Sequence, residues 1–353
     1  MCYQSAIAYR ACGIFEEGDM VMVREASTNG KTAMIGPLEK GRVYGTRKGD
    51  VKHDHIIGKT SRDRIRAHSS KKVFGGLFIL HHPTMEEYIL NSRRTCTPIY
   101  PKDASTICAL LDILPGDTIL EAGTGNAGLT LFLAKSVGEK GKVFTVERNE
   151  HAHKHAQHLV NGFSKGTLAA QVEFHHGSVV DVVSNVEKSL LLSTTNNKID
   201  NVTNGVESAE NESEAEKKPL LMFDGIALDM PTPWVELEML HQHLKTDRYC
   251  VCYLPNMSQV MDLIGAVRSL PLLVENIIEV DWKEWDVRST VVRNGNAMLP
   301  KSSFTNTAQG LSEVGADDGV EKPQDVVWVC HPVHRPIGHT AFLVCLRKCV
   351  DSK

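Results

Sequence analysis

The sequence predicts an α/β protein in which a small all-β domain precedes a parallel, doubly wound sheet. From residue 103 onward, short apolar runs alternate with stretches of helical periodicity, which is typical of a parallel sheet covered by helices. Before residue 84, short apolar runs are separated by glycines at turn-like intervals, which indicates a small all-β module. We therefore assign residues 1–83 to the β-domain and residues 84–353 to the α/β domain.

The composition is that of a chain that can bury a full core but has no general affinity for nucleic acid. The 353 residues are 42% hydrophobic and have a formal net charge of -4, so any cationic surface has to be local. The nine cysteines include no C-x-x-C pair, which predicts reduced thiols and an intracellular location. No apolar run approaches the ~20 residues that a membrane span needs.

Basic residues concentrate in the β-domain. Between residues 40 and 72 they are Lys40, Arg42, Arg47, Lys48, Lys52, Lys59, Arg62, Arg64, Arg66, Lys71 and Lys72. A run of like charges is often no more than a solvated surface. Beside a catalytic domain it also suits contact with RNA, and the sequence leaves both interpretations open.

The α/β domain shows strands and helices in turn. Its strands are short apolar runs, predicted at residues 118–121, 142–146, 172–174, 223–229, 249–254, 277–280, 326–329 and 339–346. Helical periodicity is present at residues 85–90, from residue 103, around residues 129–134, and at 149–162, 234–244 and 258–270. Two segments, about 186–219 and about 295–323, interrupt this alternation. The first is dominated by Asn, Ser, Thr, Glu and Lys, and we predict both to be disordered insertions.

A glycine-rich turn after the first strand of this domain is the candidate cofactor site. Gly123, Gly125 and Gly128 match the pattern G-x-G-x-x-G. In this pattern a tight turn and a helix N-terminus bring backbone amides close to a ligand. Glu147 ends the second strand, where an acid would hold ribose hydroxyls. The pattern alone fits NAD as well as S-adenosylmethionine.

Glu121 favours S-adenosylmethionine. It stands two residues before the first glycine, where a carboxylate can reach the amino group of a methionine moiety but would repel a pyrophosphate. Ala122, Thr124, Asn126 and Ala127 complete the predicted cofactor loop between Glu121 and Gly128. We therefore predict S-adenosylmethionine as the cofactor.

A second acid, Asp229, stands at the end of the fourth strand in the run Asp229-Met-Pro-Thr-Pro-Trp. Open α/β sheets bind their ligands at this edge, which makes Asp229 the candidate catalytic carboxylate. Asp224 on the same strand is the weaker candidate. Trp234 and Tyr100 could each offer a ring to the pocket or pack as structural aromatics.

A group of histidines on the predicted helix 149–162 also invites a metal interpretation. They are His151, His153, His155 and His158. No carboxylate or cysteine completes a convincing ligand set. We therefore expect a solvated helix face and predict no metal.

Seven stretches of the sequence together resemble the tRNA (adenine-58-N1) methyltransferases. They are Gly13-Ile-Phe-Glu-Glu-Gly-Asp, Pro83-Thr-Met-Glu-Glu-Tyr, Tyr100-Pro-Lys-Asp-Ala-Ser, Glu121-Ala-Gly-Thr-Gly, Ala227-Leu-Asp-Met-Pro-Thr-Pro-Trp, Glu284-Trp-Asp-Val-Arg and Gly338-His-Thr-Ala-Phe-Leu. They cover most of the chain outside the two insertions and are jointly specific. The family has a class I (Rossmann-like) S-adenosylmethionine-dependent methyltransferase domain behind a small β-domain.

The resemblance implies a role for each candidate site residue. Glu121, the loop from Gly123 to Gly128, Glu147 and the Gly177-Ser178 turn would bind S-adenosylmethionine. Asp229 would be the essential carboxylate and Tyr100 the aromatic residue of the adenine pocket. Adenine N1 has an in-plane lone pair, so its methylation needs no strong base. It needs alignment with the methyl group and stabilisation of the cation that forms, which a carboxylate bonded to the N6 amino group provides.

The resemblance also implies partners and a compartment. The Glu284-Trp-Asp-Val-Arg and His339-Thr-Ala-Phe-Leu phrases are similar to the bacterial and organellar branch, which is typically homotetrameric. The nuclear enzyme instead pairs with a non-catalytic, tRNA-binding subunit. We therefore expect tRNA as substrate, a homotetramer or such a heteromer, no membrane association, and the mitochondrion in preference to the nucleus.

Three alternatives compete with this function. One is methyl transfer to another acceptor, such as a protein carboxylate, which would leave the basic β-domain without a role. Another is a non-catalytic tRNA-binding subunit, in which we would expect the glycine loop or Asp229 to be lost. The last is a nucleotide-dependent oxidoreductase, which a cofactor-binding titration would distinguish.

Overall fold

The computed structural model describes residues 13–26, 31–69, 75–199, 221–293, 296–298, 326–332 and 338–350. The chain divides into two compact units. The first, called the α/β unit, contains Pro83–Val280 and the segment that begins at His339. The second, called the β unit, contains Cys12–His82 and Asp281–Gly338.

Strands and helices account for most of the described residues. The strands are β1 (Val21–Glu25), β2 (Thr32–Ile35), β3 (Val43–Thr46), β4 (Gly49–Lys52), β5 (Arg64–Arg66), β6 (Leu77–His81), β7 (Thr118–Ala122), β8 (Lys142–Glu147), β9 (Val172–His176), β10 (Phe223–Leu228), β11 (Leu244–Leu254), β12 (Leu272–Glu279), β13 (Trp285–Arg293), β14 (Asn296–Met298), β15 (Val326–Pro332) and β16 (Phe342–Lys348). The α-helices are α1 (Met85–Asn91), α2 (Pro101–Leu110), α3 (Gly128–Val137), α4 (Glu150–Gly162), α5 (Val179–Ile199), α6 (Pro233–Leu240) and α7 (Met257–Val267). Of the helices that the structure describes, none combines the length and the apolar character needed to cross a membrane.

A seven-stranded sheet forms the centre of the α/β unit, in the order β12-β16-β11-β10-β7-β8-β9. The strands from β11 to β9 run parallel, and β16 runs antiparallel to both of its neighbours. The chain moves outward from β7 through β8 to β9 and then returns to β10 on the other side of β7. Open sheets bind ligands at the carboxyl ends of strands where the order reverses in this way. The topology therefore places a candidate site at the ends of β7 and β10.

Alternate side chains of the central strands pack into two apolar layers, one on each face of the sheet. Leu120 packs in the layer that contains Leu237 of α6 and Leu263 of α7. Its neighbour Ile119 points to the other face, where Ile107 of α2 packs. Burying one such side chain stabilises the folded state by ~1.5–3 kcal/mol. The two layers therefore hold the carboxyl ends of the central strands in place.

Local sequence signals explain where several helices begin. The Thr84 hydroxyl accepts a hydrogen bond from the amide of Glu87 at 3.1 Å, and the Glu87 carboxylate accepts one from the amide of Thr84 at 2.9 Å. This reciprocal capping box starts α1. Proline stands at the first position of α2 and of α6, at Pro101 and Pro233, where the missing amide hydrogen costs nothing.

The described residues of the β unit form three small antiparallel sheets, in the orders β2-β1-β6-β5, β3-β4 and β14-β13-β15. Its first sheet has an apolar face on which Val23, Ile65 and Leu80 are buried, while Arg24 and Arg64 of the same strands are exposed. The predicted fold class, a class I α/β domain preceded by a small all-β domain, is confirmed.

The division into units differs from the boundaries that we assigned. The chain changes unit between His82 and Pro83, one residue before the boundary that we assigned, and residues 281–338 group with the N-terminal strands and not with the α/β domain. Strand β15, which we expected to close the α/β sheet, pairs with β13. A strand-like run of residues shows that a strand forms but not which sheet it joins.

The two predicted insertions are in part regular structure. Helix α5 continues to Ile199, so the segment that we expected to be disordered from residue 186 begins as helix. Residues 296–298 of the second segment form β14. The remaining parts of both segments, residues 200–219, 295 and 299–323, lie outside the described residues.

Candidate active site

The glycine turn joins the end of β7 to the start of α3. Gly123 has φ of 94° and Gly125 has φ of 53°, both in the left-handed region that favours glycine. Ala127, the residue before α3, also has a left-handed φ of 53° and is fully buried. The Gly123 amide donates to the Val146 carbonyl at 2.9 Å, which fixes the turn against β8.

Glu121 lies beneath this turn with only 1% of its surface exposed. Its Oε2 atom accepts hydrogen bonds from the hydroxyls of Thr130 at 2.7 Å and Thr145 at 2.6 Å. Its Oε1 atom is buried and has no hydrogen-bond partner among the described residues. Burial, with the nearby carboxylates of Asp229 and Glu147, raises the pKa of Glu121 to about 7 against the opposing hydrogen bonds. An oxygen left unpaired in such a place costs free energy unless a ligand supplies a donor.

Glu147 stands at the carboxyl end of β8 and braces the glycine turn. Its Oε2 atom accepts from the Gly125 amide at 2.9 Å, and its Oε1 atom accepts from the Asn149 amide at 2.8 Å. Each carboxylate oxygen can accept a second hydrogen bond. The side chain can therefore still receive two hydroxyl groups of a ligand while it holds the turn.

Asp229 follows β10 directly and is half-buried. Its amide donates to the Ala122 carbonyl at 2.9 Å, so the ends of β7 and β10 stay side by side. Burial, with a smaller effect of the Glu147 carboxylate, raises the pKa of Asp229 to about 7. An acid whose pKa lies near neutrality in a cleft is a candidate functional group.

These strand ends line a cleft of about 400 Å³. Its lining residues are Cys96, Thr97, Ala122, Gly123, Gly125, Val146, Glu147, Arg148, Gly177, Val179, Asp229, Met230, Pro231, Thr232 and Glu236. Six predicted site residues therefore share the cleft wall: Ala122, Gly123, Gly125, Glu147, Gly177 and Asp229. Glu121, Thr124, Asn126, Ala127 and Gly128 are buried behind it.

Asn126 connects the glycine turn to the loop before α2. Its Oδ1 atom accepts hydrogen bonds from the Thr95 amide at 3.0 Å and from the Thr95 hydroxyl at 2.8 Å. Its amide nitrogen donates to the Cys96 carbonyl. Sequence reasoning missed this role because residues 95 and 126 are linked only by the fold. The Asn126 side chain thus shapes the cleft by holding Cys96 and Thr97 in its wall.

Other predicted candidates lie away from the cleft wall. Tyr100 is half-buried, is not part of the lining, and immediately precedes α2. Ser178 lines a separate, shallow groove beside α6. Trp234 packs against the apolar layer of the sheet, which favours a packing role over stacking on a base.

Asp224, the weaker catalytic candidate, lies at the opposite end of the parallel strands, where they begin. It is near the start of β10, where its carboxylate accepts from the Thr118 amide at 3.0 Å and pairs with Lys245 at 2.7 Å. The side chain therefore joins strand beginnings and is not a cleft residue.

The histidines of α4 and β9 contact one another and nearby rings. His153 lies 5.6 Å from His176 between ring centres, and His175 stacks on Phe144 at 3.9 Å. In the part of the chain that the structure describes, no group of three or more His, Cys, Asp or Glu residues could hold a metal ion.

The chain is similar to known tRNA methyltransferases along most of its length. Residues 76–202 and 200–348 match the family described as "tRNA methyltransferase complex GCD14 subunit". The chain is 34% identical over 319 residues to the tRNA (adenine(58)-N(1))-methyltransferase TrmI of Thermus thermophilus, covering 90% of this chain and 93% of that protein. It is 28% identical over 281 residues to the catalytic subunit TRM61 of Candida albicans, covering 79% and 72% of the two chains.

Two solved structures share the fold. One is a SAM-dependent O-methyltransferase from Thermotoga maritima, with a TM-score of 0.66, 19% identity and coverage of 97% of both chains. The other is the tRNA (m1A58) methyltransferase TrmI from Aquifex aeolicus, with a TM-score of 0.60, 21% identity and coverage of 96% and 99%. At these identities the likeness concerns the fold alone.

Proposed function

Because this chain belongs to the GCD14 family of tRNA methyltransferase subunits, we infer that it transfers a methyl group to N1 of adenine 58 in tRNA. The observation that carries this function is the position of Asp229, an acid at the end of β10 that lines one cleft with the glycine turn after β7. Proteins that share 34% identity over nine tenths of the chain carry the name of this activity.

We propose S-adenosylmethionine as the methyl donor, and the residues of the cleft fit it. The buried, unpaired Oε1 atom of Glu121 suits the ammonium of a methionine moiety, because a charged donor best satisfies a buried carboxylate. Glu147 suits ribose hydroxyls, and Gly123 and Gly125 let the backbone approach the ligand. The donor, once bound, supplies an electrophilic methyl group on its sulfonium.

Asp229 would orient and stabilise the acceptor. Its carboxylate accepts a hydrogen bond from the exocyclic N6 amino group, which turns the N1 lone pair toward the methyl group. As N1 gains a bond it gains positive charge, and a nearby carboxylate in a half-buried site stabilises that charge. No proton has to leave N1, so the reaction needs no strong base.

Cations of the β unit would bind the tRNA backbone. Three of the predicted basic residues are paired with acids: Lys40 with Glu17 at 3.9 Å, Arg42 with Glu39 at 2.8 Å and Lys48 with Glu25 at 3.0 Å. Arg24 and Arg64 are exposed and pair with no described acidic residue. Both stand opposite Ile79 in the sheet, so they flank one strand on the same face, a spacing that suits phosphates.

A homotetramer is the assembly that we propose. The identity to TrmI of Thermus thermophilus, whose name mentions no subunit, exceeds that to the TRM61 catalytic subunit, 34% against 28%. Strands β13 and β15 also expose Trp285, Val287 and Trp328, at 58%, 50% and 65% of their surface. Trp285 and Val287 share a face of the ladder with Trp328, and apolar patches of this kind mark contact surfaces. Light scattering of the purified protein tests the assembly.

The mitochondrion is the compartment that we propose, on the resemblance of the C-terminal phrases to the organellar branch. Imaging of the tagged full-length chain tests this compartment, and a nuclear signal would contradict it.

Methylation mapping tests the function itself. Purified protein is incubated with unmodified tRNA and labelled S-adenosylmethionine, and modified adenines are located by reverse-transcription arrest. We expect a single stop at adenine 58, and none in a transcript that carries guanine there. Label on protein carboxylates, or no transfer to RNA, would contradict the proposal.

A further inference from the structure

A buried charged network lies beside the candidate site and has no role in the mechanism above. Lys102 and Asp103, on the first turn of α2, have side chains that are 1% and 0% exposed. The Lys102 ammonium donates to the Asp103 carboxylate at 3.2 Å, to the Thr340 hydroxyl at 2.6 Å and to the Val280 carbonyl at 2.7 Å. The Thr340 hydroxyl donates in turn to Asp103 at 2.7 Å. All three ammonium hydrogens are therefore in use.

This network joins three segments that are far apart in the sequence. Lys102 and Asp103 stand 178 and 237 residues from their partners Val280 and Thr340. Val280 follows β12, and Thr340 precedes β16. A buried ion pair adds little net stability compared with an apolar replacement, but it fixes geometry because one partner without the other is costly. The network thus fixes the start of α2 relative to the residues that follow β12 and precede β16.

The network extends toward the acceptor side of the cleft through two tyrosines. The Tyr100 carbonyl accepts from the Asp103 amide at 2.9 Å, so the first turn of α2 holds Tyr100. Tyr253 is 8% exposed, near the end of β11. Burial raises the pKa of Tyr253, the carboxylates of Asp103 and Asp229 raise it further, and a hydrogen bond with Thr340 opposes them. The Tyr253 hydroxyl is therefore close enough to both Asp103 and Asp229 for their charges to act on it.

Strand register supports this placement of Tyr253. Leu228 pairs with Cys252 in the parallel ladder of β10 and β11, so Asp229, which follows β10, and Tyr253, near the end of β11, stand next to each other at the carboxyl ends of neighbouring strands. A carboxylate bonded to the N6 amino group of an adenine needs the rest of the base held in one orientation. Tyr100 is bonded to the network through the Asp103 amide, and Tyr253 is close enough to Asp103 and Thr340 for them to affect its pKa.

We propose that Lys102, Asp103 and Thr340 are positioning residues that hold Tyr100 and Tyr253 beside Asp229 and so align the target adenine. The proposal rests on the proposed function. It gives a role to the segment Tyr100-Pro-Lys-Asp and to His339-Thr340, which the cofactor site does not explain.

Variants of Thr340 test the proposal with little change in volume. Thr340→Val removes the hydroxyl that links Lys102 and Asp103, whereas Thr340→Ser keeps it. We expect Thr340→Val to lower kcat for tRNA methylation about 10- to 100-fold, since small misplacements of reacting groups have effects of this size. The Kd for S-adenosylmethionine and the KM for tRNA should stay within about twofold, and Thr340→Ser should restore most of kcat.

Lys102→Met has a matched control in Lys348→Met. Lys348 is also buried, and its ammonium donates to the carbonyls of Gln242 and Leu244 at 3.3 and 2.8 Å, at the other end of the sheet. Both variants remove a buried ammonium and should lower the melting temperature. Only Lys102→Met should lower kcat of the folded protein.

The outcomes separate this proposal from the proposed function. Wild-type protein that does not methylate adenine 58 would refute both. Wild-type activity with an unchanged kcat in Thr340→Val would refute the network alone. So would a Thr340→Ser variant as impaired as Thr340→Val, or a Lys102→Met variant indistinguishable from Lys348→Met.

Discussion

The backbone of Asp229 fills the space beside Gly123 that any other residue would need for its side chain. A Cβ built on Gly123 would lie 2.0 Å from the Asp229 carbonyl oxygen. One backbone contact therefore sets the position of the first glycine of the cofactor turn relative to Asp229. A side chain added at Gly123 would displace the backbone of Asp229, whereas a change of the Asp229 side chain leaves the contact in place.

Gly123→Ala should abolish activity and cofactor binding together. The methyl group meets the Asp229 carbonyl, which is backbone and cannot rotate away, and φ of 94° is strained for alanine. We expect S-adenosylmethionine affinity to fall more than 100-fold by calorimetry. Gly116→Ala is the control: its φ is 106°, but the added Cβ meets no atom within 4 Å, so it should cost stability and not affinity. Equal affinity in the two variants would show that the contact is unimportant.

Asp229→Ala should abolish methyl transfer and leave S-adenosylmethionine affinity within a few fold. The carboxylate is expected to act on the acceptor, so its loss removes an interaction made with the base. Single-turnover rates and a binding isotherm measure the two effects. Asp224→Ala, on the same strand but at the opposite edge, should lower the melting temperature while the folded protein keeps its rate. Equal loss of rate and of cofactor affinity in Asp229→Ala would make Asp229 a structural residue.

Cofactor affinity should rise with pH across neutrality. The pKa values of Glu121 and Asp229 are both raised to about 7, and Glu121 is the acid that we expect to receive the ammonium of the methionine moiety. Binding of that ammonium favours the Glu121 anion, so below pH 7 it releases a proton from Glu121. We expect affinity to increase about fivefold from pH 6 to pH 7 for this one proton, and to level off near pH 8. Calorimetry in two buffers of different ionisation enthalpy counts the protons, and a flat profile would contradict the prediction.

The same two acids should make the ligand-free protein less stable as pH rises. Their pKa values are higher in the folded state than in the unfolded chain, so the folded state binds more protons between about pH 4.5 and pH 7. Their contribution to the free energy of unfolding is therefore lost as pH increases through 7. Glu121→Gln should reduce this loss in a melting-temperature series from pH 5.5 to pH 8. A series identical to that of the wild type would exclude Glu121 as a source.

Asn126→Ala should weaken cofactor binding through the loop before α2. The variant removes three hydrogen bonds that hold Thr95 and Cys96, and a hydrogen bond of this kind contributes ~0.5–1.5 kcal/mol. We expect S-adenosylmethionine affinity to fall at least tenfold and hydrogen exchange to accelerate in residues 93–97. Unchanged exchange there would show that another contact holds the loop.

Arg24→Ala and Arg64→Ala should weaken tRNA binding and reduce its dependence on salt. Removing a cation that neutralises one phosphate should lower the slope of log affinity against log salt concentration by about 1. Arg42→Ala is the matched control, because Arg42 is already paired with Glu39. Binding isotherms at several salt concentrations provide the slopes. Slopes that fall equally in all three variants would argue against a specific arginine face.

Residues whose roles follow from short sequence spacing were predictable. Glu121 and Gly123 belong to one strand and one turn, and Asp229 ends a strand, so pattern and topology place them at the same edge. Asp224 is only five residues from Asp229, and the sequence could not separate them without the strand bounds. The structure does so, since Asp224 binds Thr118 and Lys245 at the far edge.

Contacts between distant segments were not predictable. The bond between Asp103 and Thr340 spans 237 residues, and neither residue type indicates a partner. The same limit applies to β15, whose apolar run predicts a strand equally well in either unit. Local periodicity reports which face of an element is buried but not what covers it.

The position of β16 has a consequence for synthesis on the ribosome. It lies between β11 and β12, yet it is made after both of them. The central sheet therefore cannot close until residues 342–348 have left the exit tunnel. Until then, the inner edges of β11 and β12 are unpaired and open to chaperones or to premature association with other nascent chains.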